Sequence, residues 1–133
     1  ATSGTGFGIV YNDTAGSGLR LGAGYQDFIG AGRQVNVSVG YTVGSIAMNA
    51  VYLDQSGGVN TDGWGFDLTY RVDPALSIIF AAADTTAANI SPSYGIGATY
   101  DLGGNVTLAG GIGSVDEGAA HATRADFGLN FTF

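Results

Sequence analysis

His121 is the single histidine of the chain, and there is no cysteine. Nucleophilic chemistry of the Ser-His-Asp kind would have to run through that one imidazole, with a serine on one side and a carboxylate on the other. No spacing selects a serine for it. Beside Ala119 and Ala120 in a polar connection, it reads as a solvated side chain. Without thiols there is neither a disulfide framework nor a thiolate zinc site. Asp116 and Glu117, with Asp54, Asp62 and Asp84 in other connections, are oxygen donors of the kind a calcium ion takes. They lack an EF-hand spacing and read as an acidic rim, which allows a hard cation without specifying one. Gly22-Ala23-Gly24 and Gly95-Ile96-Gly97 are followed by no helix and no Lys-Ser/Thr pair, so they are not phosphate loops. Nothing here reads as a catalytic residue, a cofactor site or an enzyme. The charges left over are Arg20, Arg71 and Arg124 with Asp67, Asp101 and Asp126. What they do depends on the elements that aim them.

Those elements alternate with period two, and no helix-period amphipathic stretch is present. Turn signals bound strands at 6–12, 18–26, 34–43, 45–53, 63–72, 75–83, 93–102, 105–114 and 122–133. Each is near the length that a tilted strand needs to cross a bilayer. The connections alternate too. Short ones fall at 13–17, 43–45, 73–74 and 103–104, and longer polar ones at 27–33, 54–62, 84–92 and 115–122, as in a barrel with tight turns on one rim and loops on the other. Residues two apart share a face of a strand. Leu19, Leu21, Ala23 and Tyr25 then oppose Arg20, Gly22, Gly24 and Gln26. Val35, Val37, Val39 and Tyr41 oppose Gln34, Asn36, Ser38 and Gly40. Trp64, Phe66, Leu68 and Tyr70 oppose Gly65, Asp67, Thr69 and Arg71. Tyr94, Ile96, Ala98 and Tyr100 oppose Gly95, Gly97, Thr99 and Asp101. Phe127, Leu129, Phe131 and Phe133 oppose Arg124, Asp126, Gly128 and Asn130. Only 75–83 is apolar on both faces.

Composition says what the two faces meet. Hydrophobic residues make up 45% of the chain and charged ones only 11%, well below the roughly 25% charged residues of soluble domains. No apolar run approaches the ~18 residues of a membrane-spanning helix. Apolar residues interleaved with small polar ones fit strands with lipid on one side and water on the other. A soluble secreted β-protein also alternates, but its solvent face carries Lys and Glu, whereas this polar face is Gly, Ser, Thr and Asn. The aromatic residues fall in two rows on the apolar face. Tyr25, Tyr52, Trp64 and Tyr94 lie beside the longer connections, and Tyr11, Tyr41, Tyr70 and Tyr100 beside the short ones, as belts at the two membrane–water boundaries do. Charges on the other face then look into a lumen, where they set the field that ions feel. A net charge of −7 and a pI near 4.1 argue against nucleic acid. No basic stretch and apolar run open the sequence at Ala1, so the chain reads as mature or excised. The fold expected is an all-β antiparallel transmembrane meander, residues 1–133 being one segment of it.

The run Tyr94–Gly104 (YGIGATYDLGG), then Leu108–Ile112 (LAGGI) and Ala125–Phe133 (ADFGLNFTF) with its terminal Phe, resembles the final three strands of Gram-negative general diffusion porins of the alphaproteobacterial, purple-bacterium type. The likeness is good over about 93–133 and looser upstream. It implies a sixteen-stranded trimer that passes small hydrophilic solutes and ions, seated among outer-membrane lipid and lipopolysaccharide, with the C-terminus and the short turns in the periplasm. This chain departs from that pattern. It has about nine strands and no long inward-folded constriction loop, so no eyelet residue carries over. Nine strands cannot close antiparallel. Either 1–12 leaves the sheet and eight close as a small structural anchor or adhesin, or strands outside this sequence complete the barrel. The glycine-rich inner face favours the second.

Overall fold

A computed structural model describes residues 4–14, 16–30, 32–57, 61–87, 90–116 and 121–132. Glu117 and Phe133 lie outside the described residues, as does the side chain of His121. Nine strands form one sheet: β1 Gly4–Asn12, β2 Leu19–Phe28, β3 Gly32–Val43, β4 Ile46–Ser56, β5 Thr61–Arg71, β6 Leu76–Thr85, β7 Ser93–Gly103, β8 Val106–Asp116 and β9 His121–Phe131. Each pairs antiparallel with its neighbour in sequence.

The tight turns follow from their residues. Val43 pairs with Ile46 around Gly44-Ser45, and Gly44 takes φ +54°, the glycine-first geometry of a type II′ hairpin. Gly103 pairs with Val106 around Gly104 (φ +61°) and Asn105 (φ +62°). Both central residues are left-handed, as a type I′ turn requires, and Asn is the non-glycine residue that adopts this region most readily. Leu102 is the extra residue of a bulge just before that turn. Carboxylates close three connections of the same rim. Asp13 accepts the Ser17 N–H at 2.8 Å, Asp73 those of Ala75 and Leu76 at 2.7 and 2.9 Å, and Asp101 that of Gly103 at 2.8 Å.

All the strands but β7, which starts at Ser93 as expected, run one to three residues further into the connections of the other rim than the alternation predicts. Asp27, Asp54, Asp62, Asp84 and Asp116 all belong to strands. Past the apolar band both faces are wet, so the alternation fades while the backbone ladder continues. The contrast between rims is correspondingly weaker. The connections span 13–18, 44–45, 72–75 and 104–105 on one and 29–31, 57–60, 86–92 and 117–120 on the other.

Register puts like with like. Leu21 lies opposite Val39, Tyr52 opposite Trp64, Leu68 opposite Phe80, Ile96 opposite Ile112, and Leu108 opposite Leu129. No described hydrophobic residue is buried. Ile9 is 72% exposed and Phe127 86%. A sheet that turns a whole apolar face outward over no core is built for an apolar solvent. Two depressions mark the opposite face as the concave one.

The sheet stays open. β1 contacts only β2, β9 only β8, and β2 pairs with β1 and β3 rather than with β9. The described strands therefore form no small closed barrel. Since directions alternate, β1 and β9 point the same way.

Candidate pore wall

Pairing carries one row of residues across the concave face at right angles to the strands. It runs Asn12, Arg20, Gly40, Asn49, Asp67, Ala81, Gly95, Gly113 and Arg124, one from each strand. Asn12 is the last residue of β1, at the tight-turn rim, and Arg124 is near the start of β9, at the other rim. A perpendicular row that climbs from rim to rim is what strand tilt and stagger produce in a barrel wall.

Arg20 and Asp67 are brought together within this row, though not in direct contact. Arg20 Nη2 donates to Asn49 Oδ1 at 3.0 Å, and Asn49 Nδ2 donates to Asp67 Oδ1 at 2.8 Å. The guanidinium reaches Asn49 by lying across Gly40 of β3. A Cβ built on Gly40 would stand 2.8 Å from Asn49 Oδ1 and 2.9 Å from Arg20 Nε. Gly40 is the one buried residue among those described, roofed by these two side chains.

The other four charges lie elsewhere on the wall. Arg124 faces Gly113 and Asp126 faces Gly111, two positions along β9 on the same concave face. Arg71 closes β5 opposite Ser77 at the tight-turn rim. Asp101 is at that rim too, facing Thr107, with one oxygen engaged by the turn. The wall beside Arg124 and Asp126 is paved with small residues, Gly95 against Gly113 and Gly97 against Gly111. Of the acidic rim, Asp54 faces Asp62 directly, and Asp116 accepts the Ser91 N–H at 2.5 Å. Among the described residues no group of three or more carboxylates is placed to hold a metal ion.

The aromatic rows lie on the convex face. Tyr25 packs against Phe7 with ring centroids 5.5 Å apart and planes tilted by 31°, and Tyr52 opposes Trp64. Tyr94 flanks Ala82 beyond them. At the tight-turn rim Tyr11 opposes Leu21, Tyr41 opposes Leu19, Tyr70 opposes Ile46, and Tyr100 opposes Leu76. Most of these rings are about half-exposed.

Asn49 and Gly40 were not singled out by the sequence. The signal was there in the two-residue turn at 44–45, which fixes 40 opposite 49 and so sets an amide across Gly40 from Arg20.

The model of the Gram-negative porin family matches residues 1–120. This takes in the strands upstream of the stretch on which the resemblance was read. Among solved structures, a five-site mutant of Rhodopseudomonas blastica porin aligns with TM-score 0.55 at 20% identity, covering 98% of this chain and 55% of that one. A three-site mutant of the same porin gives 0.55 at 18% over the same shares. A structure titled for asymmetric conductivity of engineered proteins gives 0.54 at 20%, again over 98% and 55%. At such identities the likeness carries the fold. This chain spans 55% of the length of the solved chains it matches. No curated protein matches it in sequence.

Proposed function

This chain belongs to the Gram-negative porin family, and from that premise we propose that residues 1–133 are one segment of an outer-membrane channel. The channel conducts small hydrophilic solutes and ions by passive diffusion, with no catalytic step and no cofactor. The carrying observation is the contrast between faces: an apolar convex face over no core, and a concave face of small polar and glycine residues with few charges. Water fills such a concavity, while lipid and lipopolysaccharide cover the other side. Nine strands over 55% of the compared chains scale to roughly sixteen in a whole barrel, an even count that closes antiparallel. The completing strands are then odd in number, and a trimer of such barrels is the assembly that the resemblance implies.

Arg20, Arg71 and Arg124 balance Asp67, Asp101 and Asp126 on the lumen side, so the wall is nearly neutral overall. Selectivity comes from where each charge sits along the path. At the loop rim Asp27, Asp54, Asp62, Asp84 and Asp116 outnumber two arginines, Arg124 and Arg33, the latter tied to Ser56 at 2.9 Å. That mouth concentrates cations. In this reading it lies outside the cell, and the tight turns and the C-terminus lie in the periplasm.

The test is planar-bilayer recording on the full-length polypeptide that carries this chain, extracted in detergent. The expected result is stepwise conductance that rises in proportion to the conductivity of the salt. Membrane insertion without steps would sink the channel reading and favour a structural barrel.

A further inference from the structure

We propose that Asn49 is the positioning residue of the wall's electric field: it couples Arg20 to Asp67, so that the two charges act as one fixed lateral dipole rather than as independent lumen charges. Two observations carry this, and the proposal rests on the channel reading only for its effect on ions. The first is the pair of hydrogen bonds. Asn49 offers one acceptor and one donor, the acceptor meets the guanidinium at 3.0 Å, and the donor meets the carboxylate at 2.8 Å. Turning the amide over would set donor against donor and acceptor against acceptor, so the two charges fix its orientation. Both bonds are charge-assisted, the stronger kind.

The second is Gly40. Arg20 stands on β2 and Asn49 on β4, with β3 between them, so the guanidinium must cross a whole strand. Any side chain at 40 would occupy that path: a built Cβ is 2.9 Å from Nε and 3.0 Å from Nη2 of Arg20. The glycine is needed for its empty volume, since its φ is not in the left-handed region. Arg20 thus lies flat along the wall. Its charge is carried off β2 to lie over Gly40 of β3, and only the Asn49 amide separates it from the Asp67 carboxylate, although their strands stand three spacings, about 14 Å, apart. Neither arginine nor aspartate alone specifies this arrangement; the amide between them does.

The experiment is a double-mutant cycle in the full-length polypeptide, with Arg20→Gln, Asp67→Asn and their combination. It is run in the wild-type background and again with Asn49→Leu, which keeps the bulk of the amide and removes both bonds. Asn49→Ser, too short to reach both charges, serves as a second uncoupled background. Two readouts are taken: the urea midpoint of the barrel in lipid vesicles, and the reversal potential in a KCl gradient. With Asn49 present, the midpoint of the double variant should fall about as far as that of either single one. The two single shifts in reversal potential, of opposite sign, should not sum to the double's. In both uncoupled backgrounds the effects should add. Additivity in the wild-type background by both readouts overturns the proposal, as does coupling that survives both Asn49 substitutions. If the wild-type polypeptide does not conduct, the channel reading fails while the urea cycle still decides the coupling.

Discussion

A single missing methyl group sets the course of Arg20. In Gly40→Ala the new Cβ would press on Asn49 Oδ1 and the Arg20 guanidinium, which are the far ends of side chains rather than backbone. Such contacts yield by rotation, so the strand should keep its register while the guanidinium swings off the wall. The expected outcome is a barrel that assembles with wild-type unitary conductance and a reversal potential moved toward anions, because an unpinned positive charge repels cations. An unmoved reversal potential would contradict the crossing geometry. The ends of this relay were legible in the sequence. An ionised side chain on an alternating transmembrane strand belongs on the wet face, since on the lipid face it costs about 2–4 kcal/mol near the midplane. The middle was not legible. Asn49 is uncharged, and its own row on β4 also carries Val51 and Leu53, which blur the alternation.

At the scale of the strand, the period of two assigns each side chain a face, and the register sets residues assigned to one face opposite one another across the sheet. Even β6, apolar on both sides, is resolved by its neighbours: Ile79 and Ala81 lie over Gly97 and Gly95, and Ile78 and Phe80 beside Ala98 and Ile96. The ends escaped prediction because the alternation dies out at the rims, where Asp27, Asp62 and Asp84 still sit in the ladder. The facing rule makes adjacent positions on β7 behave oppositely. Ala98→Arg puts a guanidinium on the convex face and should destabilise the barrel by about 2–4 kcal/mol. Thr99→Arg puts the same group on the concave face and should cost little while raising anion preference. Urea unfolding in lipid vesicles separates the two. Equal losses at both positions would mean that the faces are misassigned.

The whole sheet is open, and its two edge strands point the same way. Two copies set edge to edge about the barrel axis would meet along parallel seams. Set the other way, they would face opposite sides of the membrane. In the channel reading the complement is then a different, odd-numbered run of strands. Chain direction also governs what can be removed. Excising residues 93–116 takes out β7 and β8 together and leaves the end of β6 beside the start of β9 on the same rim. The full-length polypeptide so shortened should still assemble, with a smaller unitary conductance because diameter follows strand number. Excising 93–103 alone leaves two neighbours running in parallel with a link that must cross the membrane, and it should abolish assembly. Heat-modifiable electrophoretic mobility checks both. The hairpin is then the quantum of growth in this architecture: the bore can widen or narrow only in steps of two strands, so no insertion of a single strand offers an intermediate gauge.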